Sequence, residues 1–172
     1  MIKAITDSPI PTIAAVNGAA AGAGANLALA ADIVIAAESA SFIQAFTRIG
    51  LVPDAGGSYW LPRQIGMARA MGAMLLGDKI SATQAADWGM IYETVPDAGF
   101  AAHVRARAAQ LAAGPAVAYR GVKTMLRASF GHDLDAQLAL EARLQGACGQ
   151  TEDFREGVAA FLEKRPARFT GA

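Results

Sequence analysis

Pro11-Thr-Ile-Ala-Ala-Val-Asn17-Gly-Ala-Ala-Ala-Gly22-Ala-Gly24-Ala-Asn26-Leu-Ala-Leu-Ala-Ala-Asp32-Ile-Val-Ile-Ala-Ala37 is the stretch on which the fold turns. Thr12–Val16 is short, partly β-branched and bounded by Pro11 and Asn17-Gly18, which predicts a buried, central strand. A turn of small residues follows. Gly24–Ala31 has the alanine and leucine content of a helix, and Ile33–Ala36 restores the strand signal. Strand, helix and strand in close succession predict an α/β fold. From Ile10 to Ala31 there is no charge, a length that would span a bilayer. Pro11, Asn17, Asn26 and three glycines, with alanine in place of leucine, argue instead for buried protein core.

Outward from that stretch, Ile43–Ile49 predicts a helix, broken by the loop Gly50-Leu-Val-Pro-Asp-Ala-Gly-Gly57. Helical patterns return at 58–65 and 67–76. Ser81-Ala-Thr-Gln84 is a capping box that opens a helix ending before Gly89, and Ile91–Val95 predicts a last short strand. Everything beyond Asp97 is helical in character. Val104, Ala108 and Leu111 share one face, as do Phe154, Val158, Phe161 and Leu162, so both helices carry an apolar stripe to bury. Pro115 starts a new helix. No internal repeat is legible. The expected division is an α/β part at 1–96 and a helical part at 97–172.

Composition narrows the functional classes. A chain of 172 residues that is 53% hydrophobic has ample material for a packed core. Fifteen basic and fifteen acidic residues leave a formal net charge of zero, so no field draws nucleic acid or an anionic membrane. The expected partners are small molecules or other subunits. The single cysteine, Cys148, forms no internal disulfide, and the first residues carry no secretory pattern, so a reducing cytoplasm is expected.

Two segments carry candidate chemistry. Asn17–Gly24 running into a helix has small residues that let a ligand approach the backbone, and free amides at a helix start attract a negative oxygen. The same run also fits plain tight packing, and the pattern alone leaves both open. Gly22-Ala-Gly24 opens like a dinucleotide fingerprint, but Leu27 stands where the third glycine belongs and no acidic residue closes the next strand. No Gly-Lys-Ser/Thr follows, which excludes a phosphate loop. Asp54 lies among apolar residues and glycines, a setting that suits a proton shuttle; Pro-Asp-Ala-Gly is also an ordinary turn. Arg63 and Arg69 read as surface charges, His103 and His132 as exposed helix residues.

Order and spacing of these segments decide between the readings. Pro11–Glu38, then Phe42-x-x-x-x-x-Arg48-Ile-Gly-Leu-Val-Pro-Asp-Ala-Gly-Gly-Ser-x-x-Leu-Pro-Arg-x-Ile-Gly66, Trp88-Gly-Met-Ile91 and the closing Arg155-Glu-Gly-Val-Ala-Ala-Phe-Leu-Glu-Lys-Arg-Pro-Ala-Arg-Phe169 together resemble the crotonase (enoyl-CoA hydratase/isomerase) superfamily. The likeness is strongest to its isomerases of phenylacetate breakdown. It implies part of a crotonase-like ββα superhelix core followed by a C-terminal helical region. It further implies an acyl-CoA thioester as ligand, no metal or redox cofactor, and a homotrimer or a hexamer built as a dimer of trimers. By the same resemblance, Ala23 N–H is one of two amides that hold the thioester oxygen as it becomes an enolate, and Gly22 and Gly24 shape its approach.

Hydrating members use two glutamates, and the matching positions here hold Asn26 and Phe46, neither of which exchanges a proton near neutral pH. Asp54 is the carboxylate left in a family catalytic position. The implied activity is an isomerase that moves a proton alpha or gamma to the thioester of a ring-epoxide or unsaturated phenylacetyl-type substrate. Asn26 and Phe46 would line the substrate, with Asn26 orienting it. Phe161 and Lys164 match positions near the CoA nucleotide of a neighbouring subunit, though Phe161 also fits plain helix core. The alternatives are a hydratase-type enzyme, or a non-catalytic oligomerisation module. Family members are longer, so the first part of the fold, with the second oxyanion amide, is expected to lie outside this chain.

Overall fold

A computed structural model describes residues 1–172. The chain divides into two compact units, Met1–Ser8 with Thr12–Ala106, and Pro9–Pro11 with Arg107–Ala172.

The first unit opens with helix α1 (Ile2–Thr6) and then repeats one pattern twice. Strand β1 (Ile13–Val16), strand β2 (Ala19–Ala21) and helix α2 (Ala23–Leu29) form one ββα unit. Strand β3 (Ile33–Ala37), strand β4 (Ser41–Ile43), a 3-10 turn (Ala45–Ile49) and helix α3 (Gly57–Leu76) form the next. Each unit gives its first strand to one sheet and its second to another. Strand β5 (Lys79–Ser81), helix α4 (Ala82–Asp87) and strand β6 (Glu93–Val95) complete the two sheets, ordered β1-β3-β6 and β2-β4-β5. The first is parallel; in the second, β2 and β4 are parallel and β5 runs antiparallel.

The centre of the parallel sheet is therefore β3, not the Thr12–Val16 segment, which pairs on one side only. The core follows from that order. Ile35, Leu29, Phe42, Leu61 and Met90 are sealed from solvent, whereas no residue from Ile10 to Gly24 is buried. The expectation of a buried early segment thus fails within this chain, because β1 and β2 both lie at sheet edges and lack a partner on the outer side. Ala19–Ala21 is strand β2 and not part of a turn; its three residues are too few to show a period in the sequence.

Other local signals hold. Helix α3 breaks at Gly66, whose φ of 77° and ψ of 163° are non-helical, between the two predicted segments. Ser81 Oγ accepts Gln84 N at 3.1 Å to cap α4. Ile43–Ile49 is helical only from Ala45 onward, as a 3-10 turn, since Ser41–Ile43 pairs with β2 and β5. Arg63 lies over the Tyr59 ring at 3.8 Å and Arg69 over Trp88 at 5.2 Å. His103 is not a free surface residue: its Nε2 lies 2.7 Å from Glu93 Oε1.

Helix α5 (Asp97–Ala112) leads into the second unit, which holds α6 (Ala116–Ala128), α7 (Leu134–Cys148) and α8 (Glu152–Glu163). Pro115 precedes α6 as its N-cap. His132 lies in the turn before α7 rather than on a helix, 3.1 Å from Gln137 Oε1. After α8 the chain folds back along it. Arg165 reaches Glu156 with Nη1 at 2.6 Å and Nη2 at 2.9 Å, and Arg168 N donates to the same carboxylate at 2.7 Å.

The Arg165 hydrogen bonds, ahead of the Arg168 amide, hold the Glu156 carboxyl down to about 2 from its usual 4.5. A folded-state pKa below the unfolded one adds stability that is complete above pH 4.5 and lost as pH falls toward 2. Glu156→Gln is expected to lower the melting temperature at neutral pH, with the gap to wild type closing between pH 4.5 and 2. A gap constant across that window would mean that the ion pair does not stabilise the fold-back.

Candidate active site

The site is built on the start of α2. Gly22 precedes the helix with φ 52° and ψ −124°, a backbone that glycine adopts freely, and its N–H donates to Ile43 O at 2.8 Å. That bond pins the helix start to the end of β4. Ala23 occupies the first helical position, where a backbone amide has no partner within the helix, and no acceptor elsewhere in the chain takes its hydrogen. Ala23 and Gly24 are both exposed. Phe46, 8% exposed, lays its ring beneath Gly22, and a Cβ on that glycine would sit 3.5 Å from Phe46 Cζ.

Three residues after Ala23, Asn26 is fully buried. Its Nδ2 donates to Asp54 O at 2.9 Å, and its Oδ1 accepts Gln44 Nε2 at 2.7 Å. The expectation that Asn26 orients a substrate therefore meets a different geometry. Both ends of its amide are engaged inside the chain, and what it orients is the loop that carries Asp54.

That loop is tightly wound. Asp54 O also accepts Gly57 N at 2.9 Å, while Ala55 and Gly56 both take positive φ, 49° and 82°. Left-handed backbone is unfavourable for alanine, so its neighbours must hold it there. Asp54 itself is exposed, and so are Leu51 and Val52, at 57% and 81%. The apolar enclosure expected from sequence does not form around it within this chain. Gly57 packs directly on Asn26: a Cβ there would fall 2.3 Å from Nδ2 and 2.6 Å from Cγ.

Phe161 and Lys164 lie in the other unit. Phe161 is 82% exposed, so the plain core reading fails for it, and it lines an apolar groove of about 400 Å³ with Phe154, Val158, Leu162 and Phe169. The α8 stripe is thus present but uncovered. Lys164, exposed with φ 54°, caps the end of α8. No three His, Cys, Asp or Glu side chains come together to hold a metal ion, and no helix is long and apolar enough to cross a membrane.

The fold has close counterparts among solved structures. An enoyl-CoA hydratase from Polaromonas sp. JS666 superposes with a TM-score of 0.94 at 36% identity, over 98% of this chain and 66% of that one. The architecture is a partial crotonase-like core with a helical region after it. The sequence profile described as enoyl-CoA hydratase/isomerase matches residues 1–172, and the chain belongs to that family. Among curated relatives, a "Probable enoyl-CoA hydratase" of Rhodobacter capsulatus is 66% identical over 99% of this chain and 66% of its own length. A 1,2-epoxyphenylacetyl-CoA isomerase of Escherichia coli is 48% identical over 99% of this chain and 65% of its own length. The chain spans about two thirds of the length of these relatives.

Gln44 was not a candidate on sequence. It carries no motif, and only its burial at 1% exposure beside Asn26 singles it out. Gly57→Ala is expected to cost about 1–3 kcal/mol in urea denaturation, because the new methyl must displace a buried, doubly bonded amide. An unchanged midpoint would show that Asn26 can step aside freely.

Proposed function

We propose that the chain acts in an acyl-CoA isomerase, with Asp54 moving a proton alpha or gamma to the thioester and Ala23 N–H steadying the enolate oxygen. The observation that carries this reading is the 2.9 Å hydrogen bond from Asn26 to Asp54 O. It ties the loop bearing the carboxylate to the same short helix that presents the open amide. A carboxylate placed for proton transfer contributes about 10²–10⁴-fold, and an amide aimed at developing negative charge about 10²–10³-fold.

The substrate class follows the isomerase relative: either an unsaturated phenylacetyl-type thioester, which Asp54 deprotonates and reprotonates at a second carbon as the double bond shifts, or a ring-epoxide one, where proton removal and return by Asp54 assist the isomerisation of the epoxide to its oxepin. Gly22 and Gly24 leave room for the thioester beside the helix start, with Phe46 packed below. Hydration is the competing reaction, favoured by the name of the Rhodobacter relative. Against it, Asn26 is neutral and internally bonded and Phe46 has no proton to exchange, so neither position at which hydrating members keep a glutamate holds an acid or base, and Asp54 is the carboxylate left. Exposed Phe161 and Lys164 support contact with the CoA nucleotide across a trimer interface, where the ring stacks on adenine and the ammonium meets phosphate.

Acyl-CoA-dependent deuterium uptake at the alpha or gamma carbon tests the assignment. Wild type is expected to exchange, Asp54→Asn to lose about 10²-fold or more, and Ala23→Pro, which removes one N–H at a position where proline suits a helix, to lose a similar factor. Exchange that survives Asp54→Asn, or hydration of crotonyl-CoA at a comparable rate, would overturn the reading.

A further inference from the structure

We propose that Gln44 is a positioning residue for Asp54, acting through Asn26; the inference rests on the reading of Asp54 as the proton-transfer group. Two side chains and one backbone carbonyl that are far apart in sequence form one directed chain. Gln44 Nε2 donates to Asn26 Oδ1 at 2.7 Å, and Asn26 Nδ2 donates to Asp54 O at 2.9 Å. Direction is set at the far end. A backbone carbonyl only accepts, so Asn26 must turn its NH₂ toward Asp54 and its oxygen toward Gln44. Gln44 must then present its own NH₂.

That orientation leaves Gln44 Oε1 buried and without a partner. Turning the Gln44 amide over would set two oxygens face to face, so the unpaired acceptor is the consequence of keeping the donor where it is. A position at 1% exposure that needed only volume would be filled better by leucine or methionine, and an orphaned buried acceptor in a core calls for a reason. The reason lies at the end of the chain. Asp54 begins the left-handed pair Ala55 and Gly56, and its carbonyl is the anchor for both Asn26 Nδ2 and Gly57 N. Gln44 fixes the rotation of Asn26, Asn26 fixes the Asp54 backbone, and the exposed carboxylate is thereby aimed from a rigid base.

The test is Gln44→Met, nearly isosteric but without the donor. Turnover per folded molecule is expected to fall about 10- to 100-fold with KM little changed, as for a small misplacement of a reacting group. In an Asp54→Asn background the same substitution is expected to add no further loss, because its effect runs through the missing carboxylate. A lowered melting temperature with turnover intact, or equal losses in both backgrounds, would reduce Gln44 to a stability contact and overturn the proposal. Backbone resonances of Asp54–Gly57 separate this from the reading it rests on. If wild type shows no exchange, the role of Asp54 fails; the coupling still stands if those resonances shift in Gln44→Met, and falls if they do not.

Discussion

A single buried amide organises the first unit. Asn26 sits on α2, receives a hydrogen bond from Gln44 just after β4 and gives one to the loop before α3, so three segments meet on one side chain. In water such an amide would lose little by turning over; sealed in the core it has one allowed orientation, because each reversed or missing bond strands a polar group at roughly 1–3 kcal/mol. The glycine at position 57 follows from this constraint, since any larger residue would occupy the space of the amide. So does the left-handed Ala55, which persists because the carbonyl before it is held from two directions.

The same constraint separates binding from positioning. Family resemblance places Asn26 where hydrating enzymes keep a glutamate, which suggests contact with substrate. Within this chain the residue is buried and hydrogen-bonded to Gln44 and to Asp54 O. The surfaces left open are the Ala23 amide and the Asp54 carboxylate, one a donor and the other a proton acceptor, held by a common support. Enolate formation, as proposed above, would need both groups: a donor for the oxygen and an acceptor for the proton.

Alanine bias has a definite physical role. Side chains of β1 and β2 are mostly alanine, small enough for strands of the two sheets to succeed one another within a few residues and for α2 to begin at once. They bring little apolar area, so the core is supplied instead by Ile35, Phe42, Leu29, Leu61 and Met90. In the second unit the larger apolar residues of α8 remain uncovered, and their stabilising burial is not realised within the chain.

What the sequence by itself determined is local. The β-branched runs marked β1 and β3, Gly66 marked the break in α3 and Ser81 marked the start of α4, each a signal carried by neighbouring residues; the family alone was marked by the order and spacing of motifs along the chain. Strands β2, β4 and β5, three residues each, leave no periodic trace; resemblance alone implied a ββα core, and the residues of each repeat and the sheets they join came from the tertiary structure. Asp54 was legible as a candidate, yet its exposure was not. The pairing of Gln44 with Asn26 and of Asn26 with Asp54 spans 18 and 28 residues. Tertiary structure alone decided these, because a hydrogen bond between distant segments depends on which elements pack together and not on any pattern along the chain.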